Sequence, residues 1–452
     1  MQKIRLADRN AKPDVDQAEL KYQRMKAAIH EELVESLDLS RIGQIGREHL
    51  EAEVQDLAQE LCRELKVTLD AKTRERLNAD LLDEVFGLGP LEALMNDPLV
   101  TDILVNNAHE VYAERRGRLE LTKVLFADEK HVLRIVQRIV SRVGRRIDEV
   151  SPMVDARLPD GSRINAIVPP LALNGPTLSI RRFGAEPLGI EDLVAQGSIL
   201  PGVVEFLAAA IDARVSFLIS GGTGAGKTTM LNALSAFIPA RERLITIEDS
   251  AELKIRHKHV IRLETRPANT EGTGAITQRD LVRNSLRMRP DRILLGEVRG
   301  PEALDMLQAM NTGHEGSLTT IHANDSREAL VRLETMVAMT GYDLPVPVVR
   351  QYIAAGIKLL VHLARLRDGF RCVTRVSEIV GVTDGQFVVE DIFGFEPQGV
   401  TDDGDVHGEF YVTGYVPACL PRFKAAGVRL PEGLFEARKE SRVLANADQP
   451  NE

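Results

Sequence analysis

Hydrophobic residues recur at steps of three and four residues in two stretches near the start of the chain. The first stretch contains Met25, Ile29, Leu33 and Leu37, and the second contains Leu50, Val54, Leu57, Leu61 and Leu65. This spacing predicts amphipathic helices with one buried face. We therefore expect a helical module with a packing or docking role over residues 17–80. A polar, flexible leader is expected before it, over residues 1–16.

The pattern changes near Leu81. Short apolar runs, TDILVNN and RINAIVPP, occur on either side of a stretch with helical spacing, HVLRIVQRIVSRVG. This mixture predicts a compact α/β domain over residues 81–183. The segment that follows, GAEPLGIEDLVAQGSILPG, is rich in glycine and proline and predicts a linker over residues 184–200.

A second α/β domain is predicted over residues 201–396. Its early part alternates apolar strand patterns, such as VSFLIS and RILL, with helical ones, such as MLNALSAF and SREALVRLETMVAM. Its late part predicts a meander of strands, LLVHLARL, RCVTRVSEIVGV and QFVVEDIFGF, with turns at RDGF and TDG and no evident chemistry. Residues 397–452 are expected to form a C-terminal extension and a frayed tail.

Composition narrows the class of protein. The 452 residues allow two to four domains, and the 44% hydrophobic content is enough for real cores. A net charge of −10 opposes a role in coating nucleic acid, which requires clustered lysine and arginine. Three scattered cysteines form neither a disulfide framework nor a zinc site, so a reducing cytosol is expected. No apolar run approaches the roughly 20 residues of a membrane span, so membrane contact is expected to be peripheral.

The segment GGTGAGKTT, Gly221 to Thr229, follows the apolar run VSFLIS and precedes a helical pattern. It satisfies the G-x-x-x-x-G-K-[ST] phosphate-loop pattern in its strand–loop–helix setting. Backbone N–H groups are expected to surround the phosphates, Lys227 to neutralise the β and γ oxygens, and the Thr228 hydroxyl to bind Mg²⁺. ATP and Mg²⁺ are therefore the predicted ligands. The predicted nucleotide contacts are Gly222, Thr223, Gly224, Ala225, Gly226, Lys227, Thr228 and Thr229.

Acidic residues at the ends of two later strands are candidates for activating water. Glu248 and Asp249 follow the apolar run Leu244 to Ile247, and Glu297 comes just after Ile293 to Leu295. Strand ends in such sheets are common positions for catalytic carboxylates. Gly296 occupies the position of the usual Walker B aspartate, which excludes direct carboxylate ligation from there. Glu297 is expected to reach Mg²⁺ through water, since this ion dehydrates reluctantly.

Two histidines, His314 and His322, lie on either side of the apolar run Leu318 to Ile321. A role in sensing the γ-phosphate and a purely structural role both remain open for them. A two-histidine metal site is the weakest interpretation because no third ligand is suitably spaced.

These motifs together resemble those of a known family. GGTGAGKTT, TIEDSAEL, RILLGEVRG and TGHEGSLTTIHAN occur in this order and resemble the Walker A, Asp box, atypical Walker B and His box of secretion traffic ATPases. That family powers type II secretion, type IV secretion and type IV pili. The resemblance spans Leu81 to Phe395, and the segment from RPANTEG to TTIHAN is most similar to the CpaF/TadA ATPase branch of tight-adherence (Tad) pili.

The resemblance implies an α/β fold in which a RecA-like P-loop core follows a smaller, PAS-like α/β domain and a helical module. It also implies a homo-hexamer on the cytoplasmic face of the inner membrane, with nucleotide between the two α/β domains. Hydrolysis would then move a membrane platform protein that inserts or extracts pilin subunits. Membrane association would be peripheral, through partners, and no nucleic acid is expected.

The same resemblance implies roles for individual residues. Glu248 corresponds to the catalytic carboxylate, Glu297 to an organiser of metal and water, and His322 to a γ-phosphate sensor, with His314 a further nucleotide contact. The segments RLPDGSRINAIVPP and LSIRRF resemble those that present arginines to the phosphates in this family. The residues selected on this basis are Arg163 and Arg181, followed by Arg157 and Arg182. For each arginine, a solvated surface ion pair is the alternative.

Three other functions are compatible with a phosphate loop. A RecA-like nucleic-acid motor would require a basic stripe, which the acidic balance opposes. A P-loop kinase acting on a small molecule would require an acceptor pocket and a lid. A nucleotide-gated scaffold would not require both Glu248 and Glu297. The sequence leaves open whether a pilus motor would extend or retract its filament.

Overall fold

The protein was analysed as a computed structural model that describes residues 16–36, 47–64, 67–115, 117–182, 188–266, 268, 273–401 and 405–441. The chain divides into two compact units, Met1–Ala185 and Glu186–Glu452. Residues 1–15 of the predicted leader and residues 442–452 of the predicted tail lie outside the described residues. Within the described residues, none of the helices has the length and apolar character needed to cross a membrane.

The first unit begins with three helices, α1 (Gln17–Ser36), α2 (Arg47–Glu64) and α3 (Ala71–Phe86). Asp70 caps α3, because its side chain accepts the backbone N–H of Thr73. The three helices share a core: the apolar spacing predicted α1 and α2, and α3 joins them through Leu77 and Leu81. The buried residues of this core are Ile29, Leu33, Val54, Ala58, Leu61, Leu77 and Leu81. Leu37 and Leu65 lie outside the described residues.

An α/β layer completes the first unit. Its elements are α4 (Glu92–Asn96), β1 (Val100–Asn107), β2 (Glu110–Arg115), β3 (Arg118–Leu121), α5 (Glu129–Arg142), β4 (Met153–Arg157), β5 (Arg163–Ile167) and β6 (Thr177–Arg181). The strands form one antiparallel sheet in the order β3-β2-β1-β6-β5-β4. The buried face of α5 shares a core with β1 and β6, through residues such as Ile135, Ile139 and Ile180.

The second unit contains seventeen described elements besides its first short helix, α6 (Ile190–Ala195). They are α7 (Pro201–Asp212), β7 (Phe217–Gly221), α8 (Lys227–Ser235), β8 (Leu244–Glu248), β9 (Val260–Glu264), α9 (Gln278–Ser285), β10 (Arg292–Val298), α10 (Glu302–Asn311), β11 (Leu318–His322), α11 (Ser326–Ala338), α12 (Val346–Gly356), β12 (Leu359–Arg365), β13 (Arg371–Thr383), β14 (Gln386–Val400), β15 (Val406–Val412), α13 (Leu420–Ala425) and β16 (Arg438–Ser441).

The ten strands described in this unit form one sheet, in the order β16-β15-β14-β13-β12-β7-β11-β10-β8-β9. Six neighbouring strands are parallel to one another: β12, β7, β11, β10, β8 and β9. Each strand from β13 to β16 is antiparallel to the strand before it. Strands β7 and β8 are buried along their whole length, as expected when helices cover both faces of a parallel sheet. The predicted fold class is confirmed: a RecA-like α/β core follows a smaller α/β domain and a helical module.

Three details differ from the sequence patterns. The segment predicted as a linker contains α6, and Ile190, Leu193 and Ile199 belong to the core of the second unit. Strand β10 continues to Val298, so Glu297 lies within a strand, at a register irregularity between Leu295 and Val298. The chain past Pro397 is ordered into β15, α13 and β16 in its described part, because apolar residues such as Phe423 join the core.

Candidate nucleotide-binding site

The predicted phosphate loop connects the end of β7 to the start of α8, in the middle of the parallel sheet. Gly224 and Gly226 have φ values of 70° and 96°, a region that glycine adopts without strain. A side chain at Gly221 is excluded by packing, since a Cβ there would lie 2.4 Å from the carbonyl oxygen of Leu363. The loop therefore requires glycine at positions 221, 224 and 226. It also leads into the N-terminus of α8, where free N–H groups favour anions.

Lys227 is the first residue of α8, and its ammonium group points back to the loop. Its Nζ donates to the carbonyl oxygens of Gly221 and Gly222, both at 3.0 Å. The same Nζ lies 3.4 Å and 3.3 Å from the two ring nitrogens of His322. The lysine charge is thus held at the loop and beside the end of β11.

His322 connects this lysine to the acidic end of β10. Its Nε2 lies 3.3 Å from Oε1 of Glu297. Burial and the charge of Lys227 lower the pKa of His322, so the ring is neutral near pH 7. A neutral imidazole can accept a proton on one nitrogen and donate from the other. His322 can therefore respond both to a phosphate at Lys227 and to the state of Glu297.

Arg299 extends the row of contacts beyond Glu297. Its guanidinium lies 2.9 Å from Oε2 of Glu297 and 3.4 Å from Oδ2 of Asp249. Asp249 directly follows β8. Residues at or just after the ends of β7, β11, β10 and β8 therefore meet at one edge of the sheet. Arg299 was not among the residues singled out from the sequence, although its position two residues after Glu297 was a usable signal.

Glu248 ends β8 and is buried, with 4% of its surface exposed. Its Oε2 accepts the backbone N–H groups of Glu252 and Leu253, at 2.8 Å and 2.9 Å. Its Oε1 has no hydrogen-bond partner among the described residues. Burial raises the pKa of Glu248. One oxygen of the carboxylate is thus fixed by two N–H groups, and the other is buried without a hydrogen-bond partner among the described residues.

The glycine at position 296 has a steric reason. A Cβ at Gly296 would lie 2.8 Å from Cγ of Glu248. An aspartate at this position would therefore collide with the side chain of the neighbouring strand. The departure from the usual Walker B pattern makes room for Glu248.

Mg²⁺ fits the donor set at this edge of the sheet. Among the described residues, no group of three or more histidine, cysteine or acidic side chains could hold a metal ion. Mg²⁺ is usually held by one or two protein oxygens together with substrate phosphates, so a protein cage is not required. The Thr228 hydroxyl and the Glu297 carboxylate are oxygen donors of the preferred kind.

The other predicted histidine, His314, makes local contacts. It lies in the turn between α10 and β11, where its N–H donates to Ala309 and its carbonyl accepts from the Ser317 hydroxyl. Its buried Nδ1 has no hydrogen-bond partner within the described part of the chain. A nucleotide contact by His314 stays a prediction.

The predicted arginines lie in the first unit, on three neighbouring strands. Arg163 on β5 is paired in register with Arg157 on β4 and with Arg181 on β6. Directly opposed residues of antiparallel strands point to the same face, and like charges placed there are destabilising. Arg181 Nε also lies 4.0 Å from Oδ1 of Asp102, and Arg157 Nε donates to the carbonyl oxygen of Gly161 at 3.3 Å, so anion binding by this row stays a prediction. Arg182 differs, because its guanidinium donates to the carbonyl oxygens of Asp97 and Val100, which ties the end of β6 to the start of β1.

One contact of the loop comes from a residue that sequence reasoning missed. Nε of Arg371, on β13, donates to the carbonyl oxygen of Gly224 at 2.7 Å. The two residues are 147 positions apart, and no local motif connects them. Only the pairing of β12 with β7 brings them together.

The chain is similar to proteins of a known family. Residues 84–390 match the model of the family described as "Type II/IV secretion system protein". A provisionally named conjugal transfer protein of Mycobacterium tuberculosis is 39% identical over 330 residues, which cover 72% of this chain and 92% of that protein.

Two comparisons involve a protein of Brucella suis. The type IV secretion system protein VirB11 of this organism is 32% identical over 305 residues, which cover 62% of this chain and 84% of that protein. The crystal structure of the VirB11 ATPase from the Brucella suis type IV secretion system, in complex with sulphate, is 30% identical. The match covers 65% of this chain and 96% of the chain in that structure, with a TM-score of 0.35.

Proposed function

This chain belongs to the type II/IV secretion system protein family, and we propose that it hydrolyses ATP with Mg²⁺ to drive a secretion or pilus machine. The observation that carries the proposal is the convergence at one edge of the RecA-like sheet. There, Lys227, His322 and Glu297 form one continuous row of contacts. Glu248, beside Gly296 of β10, has a buried carboxylate with one oxygen that lacks a hydrogen-bond partner among the described residues.

Each group has a role that follows from its placement. Lys227 would bind the β- and γ-phosphate oxygens and give up its contacts with the loop carbonyls. Glu248 would take the proton of the attacking water through Oε1, while its two backbone N–H contacts hold the carboxylate in place. His322, between Lys227 and Glu297, would report whether the γ-phosphate is present.

Thr228 and Glu297 would hold Mg²⁺ together with the nucleotide phosphates. When bound, the ion would neutralise phosphate charge as the leaving group departs. Arg163 and Arg181 are proposed to neutralise transition-state charge as well, a role in which a supplied arginine can contribute roughly 10³ to 10⁵ in rate. Their opposed placement in the first unit supports this role.

The machine is proposed to be a Tad pilus or a related type IV-like pilus, and the active form a homo-hexamer. The support is the resemblance of the segment from RPANTEG to TTIHAN to the CpaF/TadA branch, together with membership of a secretion family. The proposed place of action is the cytoplasmic face of the inner membrane, against a platform protein that handles pilin subunits.

The test is phosphate release by the purified full-length chain with Mg²⁺-ATP, compared with the Glu248→Gln variant. We expect the variant to lose at least about 100-fold in kcat, because its amide cannot accept the proton, while it still binds ADP. Glu315→Gln is the matched control, since Glu315 is an exposed glutamate in the turn before β11. It should keep the wild-type rate.

Light scattering on the same samples, with and without nucleotide, tests the hexamer. A wild-type chain that releases no phosphate at any assembly state would refute the ATPase proposal. An active chain that stays monomeric would refute the hexamer alone. Phosphate that appears on a small-molecule acceptor would favour the kinase alternative.

A further inference from the structure

The hairpin formed by β12 and β13 touches three glycines of the phosphate loop. The carbonyl oxygen of Leu363 closes the space beside Gly221, and Arg371 Nε donates to the carbonyl of Gly224 at 2.7 Å. A Cβ at Gly226 would lie 3.9 Å from Cδ of Arg371 and 4.0 Å from Cδ2 of Leu363. The loop is therefore supported along its length by a strand pair from far along the chain.

The hairpin itself is held firmly. Arg365 and Arg371 are paired across it, and Leu366 donates its N–H to the carbonyl of Phe370 in the turn. Asp368 accepts the N–H of Phe370 and also that of Val406, which starts β15. The position of Arg371 is thus fixed by the C-terminal strands as well as by β12.

The bond to Gly224 has a direct consequence for anion binding. In a trans peptide, the carbonyl oxygen and the following N–H point in opposite directions. Arg371 therefore sets the direction of the N–H of Ala225 by holding the preceding carbonyl, and this N–H donates to the carbonyl oxygen of Gly222 at 3.3 Å, which closes a turn within the loop. Its guanidinium also brings a permanent positive charge to the loop. The charge favours phosphate directly, and the bond to Gly224 stabilises the loop conformation that would surround it.

We propose that Arg371 is a positioning residue for the nucleotide phosphates, which acts through the backbone of Gly224. This inference rests on the proposed function, because it requires the loop to bind nucleotide. The effect belongs to the bound ground state, since Arg371 acts through the backbone of the phosphate loop at Gly224. Its loss should raise KM for ATP and leave kcat nearly unchanged.

The experiment compares Arg371→Gln with wild type in two assays: binding of a fluorescent ADP analogue, and the KM and kcat of Mg²⁺-ATP hydrolysis. We expect Kd and KM to rise about tenfold, the equivalent of one charge-assisted hydrogen bond, with kcat within about threefold. Arg371→Lys keeps the charge and a donor and should recover part of the affinity.

Arg367→Gln is the matched control, because Arg367 is an exposed arginine in the same hairpin and its replacement removes the same charge. Asp368→Asn provides a second test. It loosens the hairpin that fixes the position of Arg371, without replacing Arg371 itself. It should raise KM in the same direction by a smaller factor. The melting temperature of each variant without nucleotide separates weaker binding from lost folding.

The outcomes separate the inference from the proposed function. A wild-type chain that binds no nucleotide would refute both. A wild-type chain that binds and hydrolyses ATP, with unchanged KM in folded Arg371→Gln, would overturn the inference alone. Equal losses in Arg367→Gln and Arg371→Gln would also overturn it, because bulk charge would then explain the effect. Should Arg371→Gln not fold, an unchanged KM in Asp368→Asn would overturn it.

Discussion

The replacement of Gly296 by alanine tests the steric relation between the two acidic strands of the site. The added methyl would lie 2.8 Å from Cγ of Glu248, against about 3.4 Å for an ordinary contact, so one group must move by about 0.6 Å. Glu248 cannot swing away freely, because Oε2 is bound to the N–H groups of Glu252 and Leu253. The contact therefore displaces the carboxylate or breaks one of these bonds.

A misplacement of about 1 Å can cost roughly 100-fold in rate, so we expect Gly296→Ala to lower kcat by about 10- to 100-fold. The KM for ATP should change by less than about threefold, because the phosphate loop is not touched. Gly296→Asp, which restores the usual Walker B residue, should be at least as inactive. Its larger side chain meets the same obstacle.

The assay is steady-state phosphate release over a range of ATP concentrations, with ADP binding measured in parallel. Gly381→Ala, on β13, is the matched control, since a Cβ there meets no atom within 4 Å. A Gly296→Ala variant with wild-type kcat would refute the placement of Glu248 as the base. A variant that loses nucleotide binding instead would show that Gly296 serves the loop.

Three further predictions concern charge and stability. Burial raises the pKa of Glu248, and the base must be ionised to act. As the pH is lowered, kcat should therefore begin to fall at a pH above the ordinary glutamate pKa of about 4.3. A fall in kcat only near that ordinary pKa would contradict this prediction. In the first unit, Glu84→Gln leaves the buried Lys26, 2.9 Å away, without its carboxylate. The free energy of unfolding, measured with urea, should therefore fall by about 3–5 kcal/mol. The double replacement of Lys26 and Glu84 by methionine should recover only part of that loss, because His131 and Arg138 also lose Glu84, and no recovery would exclude the Lys26–Glu84 pair as a contributor. Glu378→Ala removes the acceptor of three hydrogen bonds from the C-terminal extension. The free energy of unfolding in urea should fall by at least about 2 kcal/mol, and proteolysis after β14 should increase. Unchanged cleavage would refute this anchoring role.

Much of the fold was readable because its signals are local. The apolar spacing of α1, α2 and α5 and the apolar runs of β7, β8 and β11 predicted these elements close to their observed bounds. The linker prediction missed α6, since a six-residue helix has too few periodic positions to stand out against glycine and proline. The region after Pro397 was unreadable for a different reason: its order depends on Glu378 and on a core contributed by distant strands.

For the candidate site, the sequence by itself determined which residue types exist and in what order: a glycine loop with lysine, two carboxylates after strands, and a histidine after a third strand. These follow from chemistry within a few residues of each motif. The tertiary structure alone decided that His322 lies between Lys227 and Glu297, that Gly296 gives its space to Glu248, and that Arg371 holds Gly224. Each of these relations joins strands that are neighbours in the sheet and far apart in the chain, and strand order is set by the packing of the whole core.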